Sequence, residues 1–190
     1  MDRKVKVKGK DRLSDGFLKI DKATVEYETF SGGTRTAQVE SLERGDSVAA
    51  VILDRSCDEL IFVEQFRYPT LAHGPGWIEE LVAGGVKAGE EPGKALEREV
   101  LEEIGFEVES LEGIGTFYVS PGGSSERIML YFATVSAQSR CNDGGGRDDE
   151  GEDIRLVRLP ANDLASALEA KRFVDAKTLI GLMWFQNRKP

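Results

Sequence analysis

The sequence has few residues of the kinds that define several large classes of protein. Its 190 residues include two cysteines, Cys57 and Cys141, too few for a disulfide framework and consistent with a reducing cytoplasm. The single histidine, His73, argues against a His-based catalytic triad or a His-rich zinc site. No apolar run approaches the roughly 20 residues of a membrane span. The basic N-terminus lacks the apolar stretch of a secretory signal. We therefore expect a cytoplasmic protein with no membrane partner.

Positive charge is also scarce. The chain has 25 Lys and Arg against 34 Asp and Glu, which gives a formal charge of −9. Duplex-binding surfaces need clustered Lys and Arg, so no nucleic acid partner is expected. An acidic protein that binds an anionic ligand usually needs divalent cations between the two. The length and the 40% hydrophobic content predict one domain with a real core and a small accessory piece.

The order of the predicted elements favours an α/β fold. Residues 17–30 and 34–43 predict a β-hairpin that is too short to hold a core alone. Further strands are predicted over 47–53, 59–68, 77–82, 107–118, 127–136 and 154–159, and helices over 92–104, 160–171 and 175–188. We therefore predict an N-terminal β subdomain over 1–45, which is the expected dimerisation element, and an α/β/α sandwich with a mixed sheet over 46–190.

Three glutamates lie together on the predicted helix 92–104. At 100° per residue, Glu99, Glu102 and Glu103 fall within an arc of about 100°. Like charges at these spacings repel one another, a cost that a bound cation would relieve. Carboxylate oxygens suit Mg²⁺ or Mn²⁺ better than zinc. Arg98 lies outside this arc and is expected to brace a carboxylate from the flank. The alternative is a solvated acidic surface helix.

The wider spacing distinguishes these two interpretations. The stretch Gly84-x5-Glu90-x7-Arg98-Glu99-Val100-x-Glu102-Glu103-x-Gly105-Phe106 matches all nine specified positions of the Nudix box, G-x5-E-x7-R-E-U-x-E-E-x-G-U, in which U is a bulky apolar residue. On average residue usage, a chance match in a chain of this size is on the order of one in a million. The chain therefore resembles the Nudix hydrolases, whose loop–helix–loop holds divalent metals against a diphosphate.

Motifs outside the box resemble the branch of ADP-ribose pyrophosphatases and GDP-mannose hydrolases. They are Glu64-Gln65-Phe66-Arg67, Glu79-Glu80-Leu81-Val82-Ala83-Gly84 and Ser120-Pro121-Gly122-Gly123-Ser124-Ser125-Glu126-Arg127. Pro121 stands 16 residues after Gly105, a spacing associated with ADP-ribose pyrophosphatases. The late acidic loop, 138–153, resembles that of the GDP-mannose enzymes equally well. The resemblance covers roughly residues 15–188 and leaves both substrates open.

The resemblance implies a set of site residues. The metal ligands, for Mg²⁺ or alternatively Mn²⁺, would be the Ala83 carbonyl, Glu99 and Glu103, with Glu102 as a further candidate. Glu152 would complete the metal site or act on the attacking water, and Glu150 is its rival as general base. The alternative for this loop is a solvated acidic segment. Against it, Gly144–Gly146 predicts a mobile hinge, and mobile loops often carry catalytic groups.

The resemblance also implies substrate contacts. Arg67 would hold a phosphate, and Glu126 would lie beside the substrate or the water. The segment from Gln38 to Glu40 and Arg44 would reach the nucleotide, across the interface of a homodimer. The structural alternatives are an ordinary surface arginine for Arg67 and a simple ion pair between Glu126 and Arg127.

Together these observations predict a Mg²⁺-dependent Nudix pyrophosphohydrolase of nucleoside diphosphate sugars. ADP-ribose would give AMP and ribose 5-phosphate; the alternative, GDP-mannose, would give GMP and mannose 1-phosphate. Pro121 and the N-terminal hairpin disfavour a nucleoside triphosphatase. A non-catalytic sugar-nucleotide sensor would be expected to lose box glutamates, and all of them are present.

Overall fold

A computed structural model describes residues 3–188 of the chain. In chain order, its strands and helices are β1 Val5–Asp15, β2 Lys19–Glu28, β3 Thr34–Glu43, β4 Asp46–Asp54, β5 Glu59–Phe66, β6 Trp77–Glu80, β7 Val82–Gly85, α1 Pro92–Ile104, β8 Ser110–Tyr118, β9 Arg127–Val135, β10 Arg155–Pro160, α2 Leu164–Glu169 and α3 Ala176–Asn187. Residue contacts divide the chain into two compact units. One comprises the chain up to Gly45 with Tyr118–Arg127, and the other comprises Asp46–Phe117 with the chain from Ile128 onward.

The first unit is built on an antiparallel sheet in the order β1-β2-β3. The register sets Val7 opposite Val25 and Val25 opposite Ala37, so one face carries apolar side chains. The other face carries polar pairs such as Thr24 with Gln38. A segment of the same unit is joined to β3, because the Leu42 amide donates to the Gly123 carbonyl at 2.9 Å.

Residues 5–15 form β1, a strand that lies before the first predicted element. Val5 and Val7 alternate there with Lys6 and Lys8, the period-two pattern of a strand with one apolar face. The pairing of this segment with β2 shows that it follows the two-residue periodicity of a strand. Because β2 lies outside the segment, the segment alone does not reveal this pairing.

The second unit has a seven-stranded sheet. Its main order is β10-β5-β4-β9-β8, with β6 paired to β5 and β7 paired to β4. Residues 48–52 of β4 are fully buried because both faces of the sheet are covered. Val48, Ala50 and Ile52 pack in one core cluster with side chains of α1. Ala49 and Val51 pack in the other with side chains of α2 and α3. The predicted α/β/α sandwich is therefore confirmed.

The helix α1 begins and ends where the sequence predicts. Pro92 occupies its first turn, and the side chain of Glu91 accepts a hydrogen bond from the Gly93 amide. Gly105 ends the helix with φ of 76°, in the left-handed region that favours glycine. The apolar stripe of α1 faces the sheet, and α1 contacts β4 and β7. This packing fixes which side of the helix its glutamates occupy.

Other predicted strands shift by up to three residues at their ends, and two predicted elements differ more. The strand predicted over 77–82 is interrupted at Leu81, because the Leu81 amide donates to Thr178 Oγ1 at 3.0 Å instead of to a neighbouring strand. The helix predicted from Pro160 begins at Leu164. Pro160 itself pairs in β10 opposite Glu59, so the chain cannot turn helical there. Among residues 3–188, no helix combines the length and apolarity needed to cross a membrane.

Candidate active site

Arg98 is the centre of a charge network on α1. Its Nε and Nη2 donate to the two oxygens of Glu90 at 3.0 and 3.2 Å. Its Nη1 donates to Glu99 at 2.7 Å and to Glu102 at 3.2 Å, and its Nη2 also reaches the Gly85 carbonyl at 3.1 Å. These charge-assisted bonds lower the pKa of Glu90 to about 2 and raise that of Arg98. Arg98 therefore braces the box carboxylates, as the sequence predicted.

The Glu99 carboxylate lies against β7. Glu99 is 8% exposed, and a Cβ atom added at Gly84 would overlap its carboxylate. Any larger residue at the first position of the box would displace this side chain. Burial raises the pKa of Glu99, and the charges of Glu102 and Glu152 act in the same direction, whereas Arg98 acts in the opposite one. Gly84 therefore leaves the space that the Glu99 carboxylate occupies.

Glu103 is the most deeply buried carboxylate of the box, at 2% exposed. Its Oε2 has no hydrogen-bond partner within the described part of the chain. Burial and the charges of Glu99 and Glu152 raise the pKa of Glu103 well above its usual range, while a hydrogen bond from the Ala83 backbone lowers it. A buried carboxylate oxygen without a partner is costly, which marks this position as one with a purpose other than stability.

The acidic loop is held against the end of α1. The carbonyls of Glu103 and Glu102 accept hydrogen bonds from the amides of Gly145 and Gly146 at 2.9 and 3.1 Å. The Gly105 carbonyl accepts two more, from residues 141 and 142. A Cβ at Gly144 would lie 2.5 Å from the Glu103 carbonyl oxygen. The glycine tract, which the sequence analysis interpreted as a mobile hinge, therefore satisfies the unpaired carbonyls of the helix terminus and fits closely against them.

This docking brings the loop glutamates towards the box. Glu152 is half-buried, its Oε2 accepts a hydrogen bond from the Arg147 amide at 2.9 Å, and its charge acts on both Glu99 and Glu103. The side chain of Glu150 is 51% exposed and lies 3.4 Å from Arg147 Nε. Of the two candidate bases, Glu152 is thus the one electrostatically coupled to the buried box carboxylates.

The donor set of this site fits a hard divalent cation. Its members are carboxylate oxygens and the Ala83 backbone, and Glu103 Oε2 is a buried acceptor without a donor. Within residues 3–188, no group of three His, Cys, Asp or Glu side chains is arranged to hold a metal. In this structure arginines engage Glu99 and Glu102. The roles assigned to Ala83, Glu99, Glu102, Glu103, Glu150 and Glu152 stay predictions.

Arg67, the predicted phosphate-binding residue, belongs to a separate ion network in the same unit. Its Nε donates to Glu80 Oε1 at 2.6 Å, and the other oxygen of Glu80 pairs with the buried Lys177. Glu80 is 2% exposed, so its charge needs both partners. The guanidinium of Arg67 is therefore anchored at Nε, with 43% of the side chain exposed.

Four predicted substrate residues lie in the first unit. Gln38 and Glu40 are exposed on the polar face of its sheet, opposite Thr24 and Lys22. Arg44 Nε lies 4.0 Å from Glu126 Oε2. Because the two units are separate compact bodies, the substrate roles of Gln38, Glu40, Arg44 and Glu126 stay predictions.

Sequence reasoning missed two charged residues that the structure brings into these networks. Arg147 Nη1 donates to Glu102 Oε1 at 3.2 Å across 45 residues of sequence. Lys177 pairs with Glu80 in the interior. Arg147 had a usable signal, since it is the only Lys or Arg between residues 141 and 154. Lys177 had none, because its partner is defined only by the packing of α3.

Comparison with known proteins supports the family that the box indicates. The NUDIX domain profile matches residues 43–179. A protein of Pectobacterium atrosepticum called GDP-mannose pyrophosphatase is 30% identical over 182 residues, covering 95% of this chain and 93% of its own length. A protein of the same name from Cronobacter sakazakii is 30% identical over 178 residues, covering 93% and 92%.

Solved structures support the fold. A crystal structure titled ADP compounds hydrolase superposes with a TM-score of 0.74 at 20% sequence identity, covering 96% of this chain and 92% of its own. At that identity the similarity concerns the fold alone. The profile match, the near-full-length relatives and the complete box folded as loop, helix and loop together make this chain a member of the Nudix hydrolase family.

Proposed function

We propose that this Nudix enzyme hydrolyses the diphosphate bridge of nucleoside diphosphate sugars. The observation that carries the proposal is the cluster of box carboxylates on α1, in which Glu103 keeps a buried oxygen without a partner among residues 3–188. A diphosphate cannot approach such a cluster directly, because both are negatively charged. A divalent cation between them would offset this repulsion, so an acidic site can bind an anionic substrate.

Mg²⁺ is the proposed cofactor, with Mn²⁺ as the alternative. Glu99, Glu103, Glu152 and the Ala83 carbonyl are its proposed ligands, and their oxygens match the preference of both ions. When bound, such an ion neutralises charge on the phosphates and lowers the pKa of the attacking water. Arg98 holds Glu99 in place through the 2.7 Å bond to its carboxylate.

Proton removal from the water falls to a glutamate of the acidic loop. The water adds to one phosphorus, the bridging P–O bond breaks, and the water proton passes to the loop carboxylate. The coupling of Glu152 to Glu99 and Glu103 supports Glu152 as ligand or base. The greater exposure of Glu150 supports it as the base, because it could exchange the proton with solvent.

Two substrates each have an observation in their favour. The relatives that match over nearly the whole chain carry the name GDP-mannose pyrophosphatase, which favours GDP-mannose. Pro121, 16 residues after Gly105, favours ADP-ribose. Hydrolysis would give GMP and mannose 1-phosphate from the first, and AMP and ribose 5-phosphate from the second.

We further propose a homodimer in the cytoplasm. The apolar face of the first unit supports the dimer, since Val5 and Val7 are 67% and 60% exposed within a single chain. Both cysteines are free, exposed thiols, which suits a reducing compartment.

A phosphate-release assay coupled to alkaline phosphatase tests the function. The substrates lack a terminal phosphate, whereas the products are phosphomonoesters that the phosphatase cleaves. With Mg²⁺ present, we expect turnover of GDP-mannose or ADP-ribose, and the larger kcat/KM identifies the substrate. Triphosphates such as 8-oxo-dGTP are assayed without the phosphatase, by chromatography of the products, because the phosphatase itself attacks a terminal phosphate. Selective cleavage of such a triphosphate would contradict the substrate class. Absence of turnover with intact Mn²⁺ binding would favour a sensor instead.

A further inference from the structure

Glu102 is a box carboxylate whose two oxygens accept hydrogen bonds from two different arginines. Its Oε2 accepts from Arg98 Nη1 at 3.2 Å, one turn away on the same helix. Its Oε1 accepts from Arg147 Nη1 at 3.2 Å, from the acidic loop. Glu103 differs, since one of its oxygens is buried without a partner. The charge of Glu102 is therefore already compensated within the protein.

Arg147 makes several contacts besides this one. Its Nη2 and Nε donate to the Asp149 carboxylate at 2.6 and 3.0 Å, and its Nε lies 3.4 Å from Glu150. Its backbone amide donates to Glu152 Oε2 at 2.9 Å. One residue thus links the box helix to both candidate bases of the loop.

An ordinary surface ion pair would contribute little, because solvent screens it and its side chains lose freedom. Three features separate Arg147 from that case. The side chain of Glu102 is only 21% exposed. The contact with Asp149 is bidentate, which fixes the plane of the guanidinium. The contact also joins two elements 45 residues apart instead of neighbours on one helix.

We propose that Arg147 is a positioning residue that clasps the acidic loop to α1 through Glu102, and that Glu102 serves this clasp and not the metal. The catalytic consequence rests on the proposed function, while the clasp itself does not. Glu103 and Glu99, the latter held by Arg98 at Oε1, are then the carboxylates of α1 proposed for the cation. Breaking either side of the clasp would release Glu150 and Glu152 from their positions together.

A double-mutant cycle tests the clasp without any substrate. The variants are Glu102→Gln, Arg147→Gln and their combination, examined by hydrogen–deuterium exchange of the loop peptide in metal-free protein. We expect each single change to raise exchange across 144–154, and the double change to raise it no further. Arg140→Gln is the matched control, since its partner Asp143 lies in the same loop, and it should leave 144–154 unchanged. Additive effects, or no effect of Arg147→Gln, would overturn the proposal.

Mn²⁺ binding, followed by electron paramagnetic resonance, separates the clasp from a ligand role. The two single variants remove opposite charges near the site, so the informative variant is their combination, in which these changes offset each other. If Glu102 serves the clasp, the double variant should bind Mn²⁺ about as tightly as wild type. If Glu102 is instead a ligand, the double variant should still bind Mn²⁺ about tenfold more weakly or worse, and that result would refute the assignment.

Turnover then tests the catalytic consequence. With an active nucleotide sugar, Arg147→Gln should lower kcat by about tenfold or more while KM changes little, because a displaced base affects chemistry more than binding. Arg147→Lys should restore part of kcat. An unchanged kcat would overturn the positioning role. A wild-type protein inactive on all nucleotide sugars would refute the proposed function alone, since exchange and Mn²⁺ binding still decide the clasp.

Discussion

Glu103 places a carboxylate at a buried position where its charge does not stabilise the fold. Its pKa is raised well above the usual 4.5, mainly by burial and then by the charge of Glu99. In the metal-free protein, the carboxylate of Glu103 therefore binds a proton more tightly in the folded state than in the unfolded state. The ionised carboxylate therefore lowers the free energy of unfolding. This loss of stability is absent below pH 4.5, where Glu103 is protonated in both states, and it grows as the pH rises towards the raised pKa of the folded state.

Replacing Glu103 by Gln should therefore stabilise the metal-free protein. In EDTA at pH 7 we expect a gain of about 1 kcal/mol or more, measured as a rise in Tm of about 2–4 °C. The difference from wild type should narrow as the pH falls towards 4.5, because protonation then removes the charge in both states. The same variant should lose about a hundred-fold or more in kcat/KM, because a metal ligand supplies several kcal/mol of charge stabilisation.

Glu97→Gln is the control for this prediction. Glu97 lies on the same helix, but its side chain is 41% exposed and pairs with Lys94 on the surface. Its replacement should change the free energy of unfolding by about 0.5 kcal/mol or less and leave turnover unchanged. A Glu103→Gln protein that is less stable than wild type in EDTA, or that keeps normal turnover, would contradict the interpretation of this site.

The end of α1 and the acidic loop act as one structural element. The last carbonyls of α1 accept hydrogen bonds from the loop, and Gly144 permits the close approach that these bonds require. Its φ is 68°, and a Cβ there would meet the backbone oxygen of Glu103 at 2.5 Å. A backbone oxygen cannot move aside as the end of a side chain can, so any larger residue at position 144 must push the loop off the helix.

Gly144→Ala and Gly151→Ala form a matched pair that separates docking from backbone strain. Both residues have similar positive φ, 68° and 72°, so alanine costs about 1–2 kcal/mol of conformational strain at each. Only Gly144 has backbone atoms in the way, since nothing lies within 4 Å of a Cβ at Gly151. We expect Gly144→Ala to lower kcat by about a hundred-fold and to speed proteolysis of the loop. Gly151→Ala should change kcat and the rate of loop proteolysis much less. Equal effects of the two variants would show that catalysis does not require the loop to pack against the end of α1.

These elements also show how far the sequence could predict the molecule. The bounds of α1 follow from signals within the segment, namely Pro92, the apolar stripe and Gly105, and the prediction was exact. The positions of Glu99 and Glu103 at the border of the buried face follow from helical periodicity. The pairing of Glu102 with Arg147 could not be predicted, because it depends on how the loop folds back over the helix terminus. The strand β1 was missed for a similar reason, since its partner β2 lies elsewhere in the chain.

At the scale of the whole molecule, the two units differ in how their apolar surface is covered. The sheet of the second unit is buried on both faces by its helices. The sheet of the first unit has one apolar face whose edge strand, β1, keeps Val5 and Val7 exposed. Three strands with an apolar face meet only the minimum for independent stability, so packing of that face against another surface would add to it. In the proposed homodimer, a second copy of the chain packs against this apolar face.

Val7→Glu and Lys6→Glu test this assembly. The two residues are neighbours on β1, and both variants add negative charge, but only Val7 faces the apolar side of the sheet. Size-exclusion chromatography with light scattering should give wild type and Lys6→Glu twice the 20.9 kDa of one chain. Val7→Glu should give a single chain, because a carboxylate buried without a partner in an apolar interface costs several kcal/mol. A monomeric wild type at micromolar concentration would exclude the dimer, and a dimeric Val7→Glu would place its interface on another surface.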